Sequence, residues 1–250
     1  MPRFYAPPSQ WDGQFVSLDA AEGRHAVEVM RLKEGSSAVV FDGFGKSATA
    51  VLRTYSKRGV DFEFQSFHLD PKPNFNVTLV QSLPRGKLME WIVEKAVELG
   101  VTRVVPILSE RTVVRLDDEE RARKQEKWFR VAVEACKQSG QNWIPQIDIP
   151  QNVSEVMAAS PQVGELSLIG SLRESACPMA GAFSKAQFDA IRLIVGPEGD
   201  FSEAELEAFV AKGALEVSLG RLTLRSETAA LYMLCAASCL SERFIDSPQI

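Results

Sequence analysis

The sequence predicts an α/β protein in two parts, a small β-barrel over residues 1–70 followed by a doubly wound parallel sheet over residues 71–250. Three observations carry this. The segment Asp70-Pro71-Lys72-Pro73-Asn74 places two prolines where any regular element would have to end. Before that seam, short apolar runs alternate with a period of two, the period of strands. After it, largely apolar strands alternate with helices, the pattern of a parallel sheet covered on both faces.

In the first part, strands are expected at Phe15–Leu18, Ala38–Phe41, Ala48–Tyr55 and Val60–Phe67, the last reading V-D-F-E-F-Q-S-F. One helix, Ala20–Met30, interrupts them, with Asp19 as its N-cap because a short carboxylate can accept the first free N–H groups. Gly45-Lys46-Ser47 looks like the end of a phosphate-binding loop. The required earlier glycine is replaced by Val40, however, and a strand follows instead of a helix, so Asp42-Gly43-Phe44-Gly45 reads as a hairpin turn. A barrel of about 70 residues is a common form of RNA-binding accessory domain.

In the second part, Asn76–Leu83 is a strand, Lys87–Leu99 a helix closed by Gly100, Val101–Leu108 a strand, and Asp117–Gln138 a long helix ending at Gly140. Further strands are expected at Leu166–Ile169, Ile191–Val195 and Leu215–Leu219. Further helices are expected at Val153–Ala159, Ser202–Ala211 and from Ser226 to about Phe244. The last helix contains the run AALYMLCAASCL, apolar nearly all round, so it must be covered on every side. The sheet can cover one side and a second copy of the chain the other, which predicts a homodimer.

Composition bounds the function. Hydrophobic residues at 45% and charged residues at 24% describe a globular chain, and exclude disordered, collagenous and disulfide-scaffold classes. No apolar run reaches the roughly 18 residues of a membrane span, and the start MPRFYAPPSQ is too polar for a signal peptide. A cytoplasmic protein with no membrane partner is therefore expected. Cys136, Cys177, Cys235 and Cys239 are scattered, and only His25 and His68 supply imidazoles, so no metal site is expected. The net charge of -5 argues against DNA as a partner. Most of the excess acid lies in the last hundred residues, so the first 130 can still present a basic face.

Three loops after expected strands attract attention: Gly170-Ser171-Leu172-Arg173-Glu174, Gly196-Pro197-Glu198-Gly199-Asp200, and Leu219 to Arg225. Ligands of open parallel sheets sit at the carboxyl ends of the strands, and glycine there lets backbone groups approach closely. None of the three matches G-x-G-x-x-G, so a hydride-transfer dinucleotide enzyme is a poor fit. Arg225-Ser226-Glu227 opens the last helix, where Ser226 suits an N-cap and a charged Arg/Glu pair could orient a substrate at the lip of the pocket.

These segments resemble the RsmE family of bacterial 16S ribosomal RNA uridine-N3 methyltransferases, within the SPOUT superfamily. The resemblance runs over nearly the whole chain: MPRFY, His25–Leu32 (HAVEVMRL), Glu94–Gly100 with Pro106, Ser109–Val113 (SERTV), Glu134–Pro145, Gly196–Ser202 (GPEGDFS) and Leu219–Ala229. Three positions depart from the pattern. A second glycine is usual where Asp200 stands, an arginine where Gln141 stands, and Arg-Ile where Leu222 and Thr223 stand.

The resemblance implies a PUA/OB-like barrel and a SPOUT sheet with a deep trefoil knot. It implies S-adenosylmethionine (SAM) as methyl donor, held by Ile169, Gly170, Gly196, Pro197, Glu198, Gly199, Ser218, Leu219, Gly220, Leu222, Leu224 and Thr228. It implies 16S rRNA or the small ribosomal subunit as substrate. Arg225 and Glu227 are then the catalytic candidates. The barrel would grip RNA through Arg3, Phe4, Arg24, His25 and Arg31, charges for phosphates and a ring for a base. A SPOUT enzyme acting on another RNA such as tRNA, a non-catalytic ribosome-assembly module, and a nucleotide-dependent enzyme using residues 45–47 remain alternatives.

Overall fold

The computed structural model describes residues 1–56, 59–158, 164–183 and 188–241. Two compact units emerge: Met1–Lys72 with Val133–Ile144, and Pro73–Ala132 with Pro145–Ile250.

The first unit holds a six-stranded sheet. Its strands are β1 (Arg3–Tyr5), β2 (Trp11–Asp12), β3 (Phe15–Leu18), β4 (Ser37–Phe41), β5 (Lys46–Ser56) and β6 (Gly59–Leu69), in the order β1-β4-β5-β6-β3-β2. All pairings are antiparallel except β1 with β4. Alternate residues turn inward as the period demands: Val16, Leu18, Val40, Ala50, Leu52, Val60 and Phe62 form one buried cluster with Phe4. Helix α1 (Ala20–Arg24) is capped by Asp19, whose Oδ1 accepts the Ala21 and Glu22 N–H groups at 2.8 and 2.9 Å. It does not run on as an α-helix to Met30. Residues His25–Val29 form a π-helical turn instead, and Arg31 follows in the left-handed region at φ 55°.

The turn at Asp42 is a hairpin. Its Oδ1 accepts the Phe44 and Lys46 N–H groups at 2.7 and 3.1 Å, while Gly43 and Gly45 take φ of 83° and 92°. Residues 133–144 complete this unit. Asn142 accepts from Arg3 and donates to Ser47 and Asp70, and a Cβ on Gly45 would lie 2.6 Å from the Trp143 ring.

The second unit holds an eight-stranded, wholly parallel sheet: β7 (Asn76–Ser82), β8 (Arg103–Leu108), β9 (Gln146–Ile147), β10 (Gln151–Asn152), β11 (Glu165–Gly170), β12 (Cys177–Pro178), β13 (Ala190–Val195) and β14 (Leu215–Ser218). The order is β10-β8-β7-β13-β11-β14-β12, with β9 beside β8. Helices α2 (Leu88–Glu98), α3 (Asp118–Ser139), α4 (Val153–Ala158), α5 (Met179–Phe183), α6 (Glu203–Ala211) and α7 (Ser226–Ser241) connect the strands. The last residues of α3 belong to the first unit.

On one face α4 and α6 cover Val80, Val105, Ile107, Ile169 and Ile194. On the other, α7 lies against β7 and β13 and beside α2. Strands covered on both faces need apolar residues at successive positions, hence Arg103–Leu108 reads R-V-V-P-I-L and Ala190–Val195 reads A-I-R-L-I-V. β8 begins two residues later than expected, because Val101 N–H still closes α2 onto Ala96 and Gly100 takes φ 80°. The expected ends of two helices, Ala159 and Phe244, lie outside the described residues. Among the described residues, no helix is long and apolar enough to cross a membrane.

Candidate active site

The carboxyl ends of β11, β13 and β14 are neighbours in the sheet although their strands are separated in the chain. Each is followed by one of the loops singled out above. They enclose a cavity of about 470 Å³, completed by the start of α7 and by Met233 on its inner face. That size is typical of small-molecule sites.

The cavity has an apolar part, from Leu172, Val195, Pro197, Leu219, Leu224 and Met233, and a charged part, from Glu198, Asp200, Arg221 and Arg225. Arg173, also on the wall, is engaged by Glu203 and, at 3.1 Å, by Glu216. Arg221 and Arg225 are exposed and make no ion pair among the described residues, so their guanidinium groups are available to an anion.

The loops are held by specific bonds. Ser202 and Glu205 form a reciprocal capping box at the start of α6, which fixes the end of the 196–202 loop. Arg111 Nη1 donates to the Gly199 carbonyl at 2.8 Å, and the Glu198 carboxylate accepts the Arg85 N–H at 3.0 Å. Ser226 Oγ donates to the Gly196 carbonyl at 2.6 Å. Asp200, where the family pattern has glycine, sits at φ 61° and accepts the N–H of Phe201 on its own Oδ1 at 2.8 Å. Aspartate tolerates the left-handed region better than most residues because of such local bonds.

Of the residues expected to hold a cofactor, Gly170, Gly196, Pro197, Glu198, Ser218, Leu219, Gly220, Leu222 and Leu224 line the cavity, together with Arg225. The other expected residues stand elsewhere. Ile169 points to the opposite face of its strand and is buried in the core beneath α6. Gly199 faces Arg111, and Thr228 is exposed on α7 beyond the wall. Glu227 stands in the first turn of α7, half-buried and off the cavity wall. Met233 is unforeseen in the sequence, and Arg173 and Arg221 lie in the loops singled out above without having been assigned to the site. The helical spacing Ala229, Met233 was a usable signal, since residues four apart share a face.

The residues expected to contact RNA divide in the same way. Phe4 is fully buried, packed edge-on to His25 and against Phe62, so it cannot stack on a base. Arg3 is a structural clamp: it donates to Asn142 Oδ1 at 2.6 Å and lies over the Phe41 ring, and burial pushes its guanidinium below the usual arginine range. Beside it the Cys136 thiol is pushed up to about 12 by burial, which leaves it unreactive. Arg24 and Arg31 are exposed and His25 partly so, on or next to the π-helical turn. An unforeseen feature is the set Trp11, Phe64 and Phe67, with the Lys46 ammonium 4.8 Å from the Trp11 ring and 4.7 Å from the Phe67 ring.

Among the basic residues of the stretch 103–130, Arg103 is paired with Asp148, and Arg121 bonds Asn152 and the Pro150 carbonyl. With Arg111 on Gly199, three of these cations serve the fold.

Residues 70–238 match the model of an RNA methyltransferase domain, and residues 18–65 that of an RNA methyltransferase PUA domain. A ribosomal RNA small subunit methyltransferase E of Bacillus subtilis is 30% identical over 240 residues, covering 90% of each chain. Its namesake from Aquifex aeolicus is 32% identical over 87% of this chain and 91% of its own. Among solved structures, the ribosomal RNA small subunit methyltransferase E of Neisseria gonorrhoeae, bound to S-adenosyl methionine, superposes with a TM-score of 0.85 at 36% identity, over 96% of this chain and 98% of that one. A putative methyltransferase of Legionella pneumophila in complex with SAM gives 0.86 at 30% identity, over 95% and 97%.

Proposed function

The chain belongs to the ribosomal RNA small subunit methyltransferase E family, and from that premise we propose that it methylates N3 of a uridine in 16S rRNA with SAM as donor. The observation that carries the reading is the convergence of three loops from neighbouring parallel strands on one cavity that is apolar on one side and charged on the other.

The residues fit the donor. Apolar walls at Leu219, Leu224 and Pro197 suit an adenine ring, and the carboxylates of Glu198 and Asp200 suit a sulfonium cation. A Cβ on Gly170 would lie 3.6 Å from Leu219 and 3.8 Å from the Met233 sulfur, both cavity residues, so the missing side chain leaves room. When bound, SAM supplies an electrophilic methyl group for in-line displacement. What remains for the protein is positioning and proton removal.

Uridine N3 lies inside the pairing edge, so the target base must be unpaired, and its N3 proton must leave before that nitrogen can attack. Arg225, exposed at the mouth of the cavity, is assigned to the anion that forms on the base; Glu227, two residues on and outside the cavity lining, is assigned to the N3 proton of a base held at its lip, not inside it. Glu227→Gln should therefore lose turnover in single-cycle assays while keeping SAM affinity; full turnover would remove Glu227 from the mechanism.

The grouping of Arg24, His25 and Arg31 on and beside the π-helical turn supports an RNA-gripping role for the first unit, because π-turns and left-handed non-glycine residues are frequent at functional sites. We assign the second unit to the trefoil-knotted SPOUT class and expect a homodimer. Exposed Tyr232 on a helix that is apolar on its other faces supports a second copy as the cover of α7. The deciding experiment is mass-spectrometric mapping of 16S rRNA and of tRNA after parallel incubations of small subunits and of tRNA with the protein and labelled SAM. One uridine modified on its pairing edge is expected; label on tRNA, or none, refutes the assignment.

A further inference from the structure

The cavity wall is held from behind by a side chain that does not line it. Gln81, next to last in β7, is completely buried. Its Nε2 donates to Ser226 Oγ and to the Ser82 carbonyl, both at 2.9 Å, and Ser226 Oγ in turn donates to the Gly196 carbonyl at 2.6 Å. The Ser82 carbonyl can only accept, so it fixes which end of the carboxamide is nitrogen. A serine hydroxyl has a single proton. With Gln81 donating to it, that proton must go to Gly196. The relay therefore ties the Gly196-Pro197-Glu198 loop to the start of α7, directly after Arg225.

A second observation separates this from ordinary core packing. The Gln81 Oε1 atom is buried without a hydrogen-bond partner. A buried carbonyl left unpaired costs stability, and an apolar residue of the same shape would avoid the cost. A residue kept only for the fold would not carry it.

We propose that Gln81 is a positioning residue for the methyl-donor site, holding the 196–198 loop and the start of α7 in the arrangement that accepts SAM. The inference rests on the methyltransferase reading above. Its test is Q81M, which matches glutamine in length but neither donates nor accepts. The full chain is measured by thermal unfolding without ligand and by calorimetric titration with SAM. Unfolding within about 2 °C of wild type is expected, because the lost donor bonds are offset by removal of the orphaned carbonyl. SAM affinity is expected to fall about tenfold, with KM for SAM raised by the same factor.

S226A, which breaks the relay at its centre, should give the same loss, and the Q81M/S226A pair no more than either alone, since the two act as one unit. S226T, which keeps the hydroxyl, should retain affinity. Wild-type SAM affinity in Q81M overturns the proposal, as does wild-type affinity in S226A should Q81M fail to fold. A wild-type chain that binds no SAM instead overturns the donor reading itself.

Discussion

Gly196→Ala tests the tightness of the cavity wall. Gly196 does not occupy the left-handed region, so alanine introduces no backbone strain there. What decides the outcome is the space for one methyl group. It would lie 3.2 Å from Asp200 Oδ1 and 3.3 and 3.4 Å from two atoms of the Phe201 ring. The carboxylate is the end of a side chain and could rotate, but it holds the Phe201 N–H. The ring is 4% exposed and packs on Phe209 at 5.2 Å between centroids, so it has nowhere to go. Overpacking of this kind costs about 1–2 kcal/mol. For a unit of this size that lowers Tm by roughly 3–6 °C.

The displaced loop lines the cavity proposed for SAM, so the rise in Tm on adding SAM should shrink as well. The double variant Gly196→Ala/Asp200→Gly removes the carboxylate contact and should recover about half of the lost stability. Scanning calorimetry of the three proteins with and without SAM is the assay. An unchanged Tm together with an unchanged SAM shift in Gly196→Ala would refute the reasoning, since it would mean that the wall yields freely.

Gly45→Ala combines a backbone at φ 92° with a Cβ 2.6 Å from the Trp143 ring, and should cost about 3 kcal/mol, read as an early transition of the first unit in thermal unfolding. Arg31→Gly relieves the left-handed strain at φ 55° and should raise stability by about 0.5–1 kcal/mol while weakening rRNA binding; filter binding with unchanged affinity would show that Arg31 is not an RNA contact. Lys137, 7% exposed, pairs with Glu22, whose carboxyl is pushed above its usual range by burial in spite of that ammonium. Lys137→Met strands the carboxylate and should cost about 3 kcal/mol at neutral pH. The sign of the pH dependence follows from the raised value: protonation favours the native state, so the loss is smallest below about pH 4.5, the unperturbed value, and grows as pH rises through the higher native value. Urea unfolding at acid and neutral pH should show the variant losing ground to wild type as pH increases.

Much of the architecture was legible because it is written locally. The alternation V-D-F-E-F marks β6, Asp19 marks the start of α1, Gly100 and Gly140 mark helix ends, and the apolar runs of β7, β8 and β13 mark strands buried on both faces. The short strands β1 and β2 carry too few residues for any period, and prolines at 2, 7 and 8 argue against regular structure around them. Phe4 was read as a surface ring for the same reason: a three-residue strand gives no pattern from which to tell inside from outside. The π-helical turn at 25–29 escaped because its apolar spacing over so few residues resembles that of an α-helix.

The sequence by itself determined the kinds of element, their order, and the loops at three strand ends, because periodicity, capping and glycine conformations act between residues close in the chain. Only the tertiary structure decided which strand ends stand together, that residues 133–144 pack with the N-terminal sheet although α3 runs through residue 133 without a break in its pattern, and that Ile169 faces the core while Met233 faces the cavity. The link between Gln81 and Ser226 spans 145 positions. A hydrogen bond over such a distance in sequence depends on how β7 and α7 are brought together, and no local pattern encodes it.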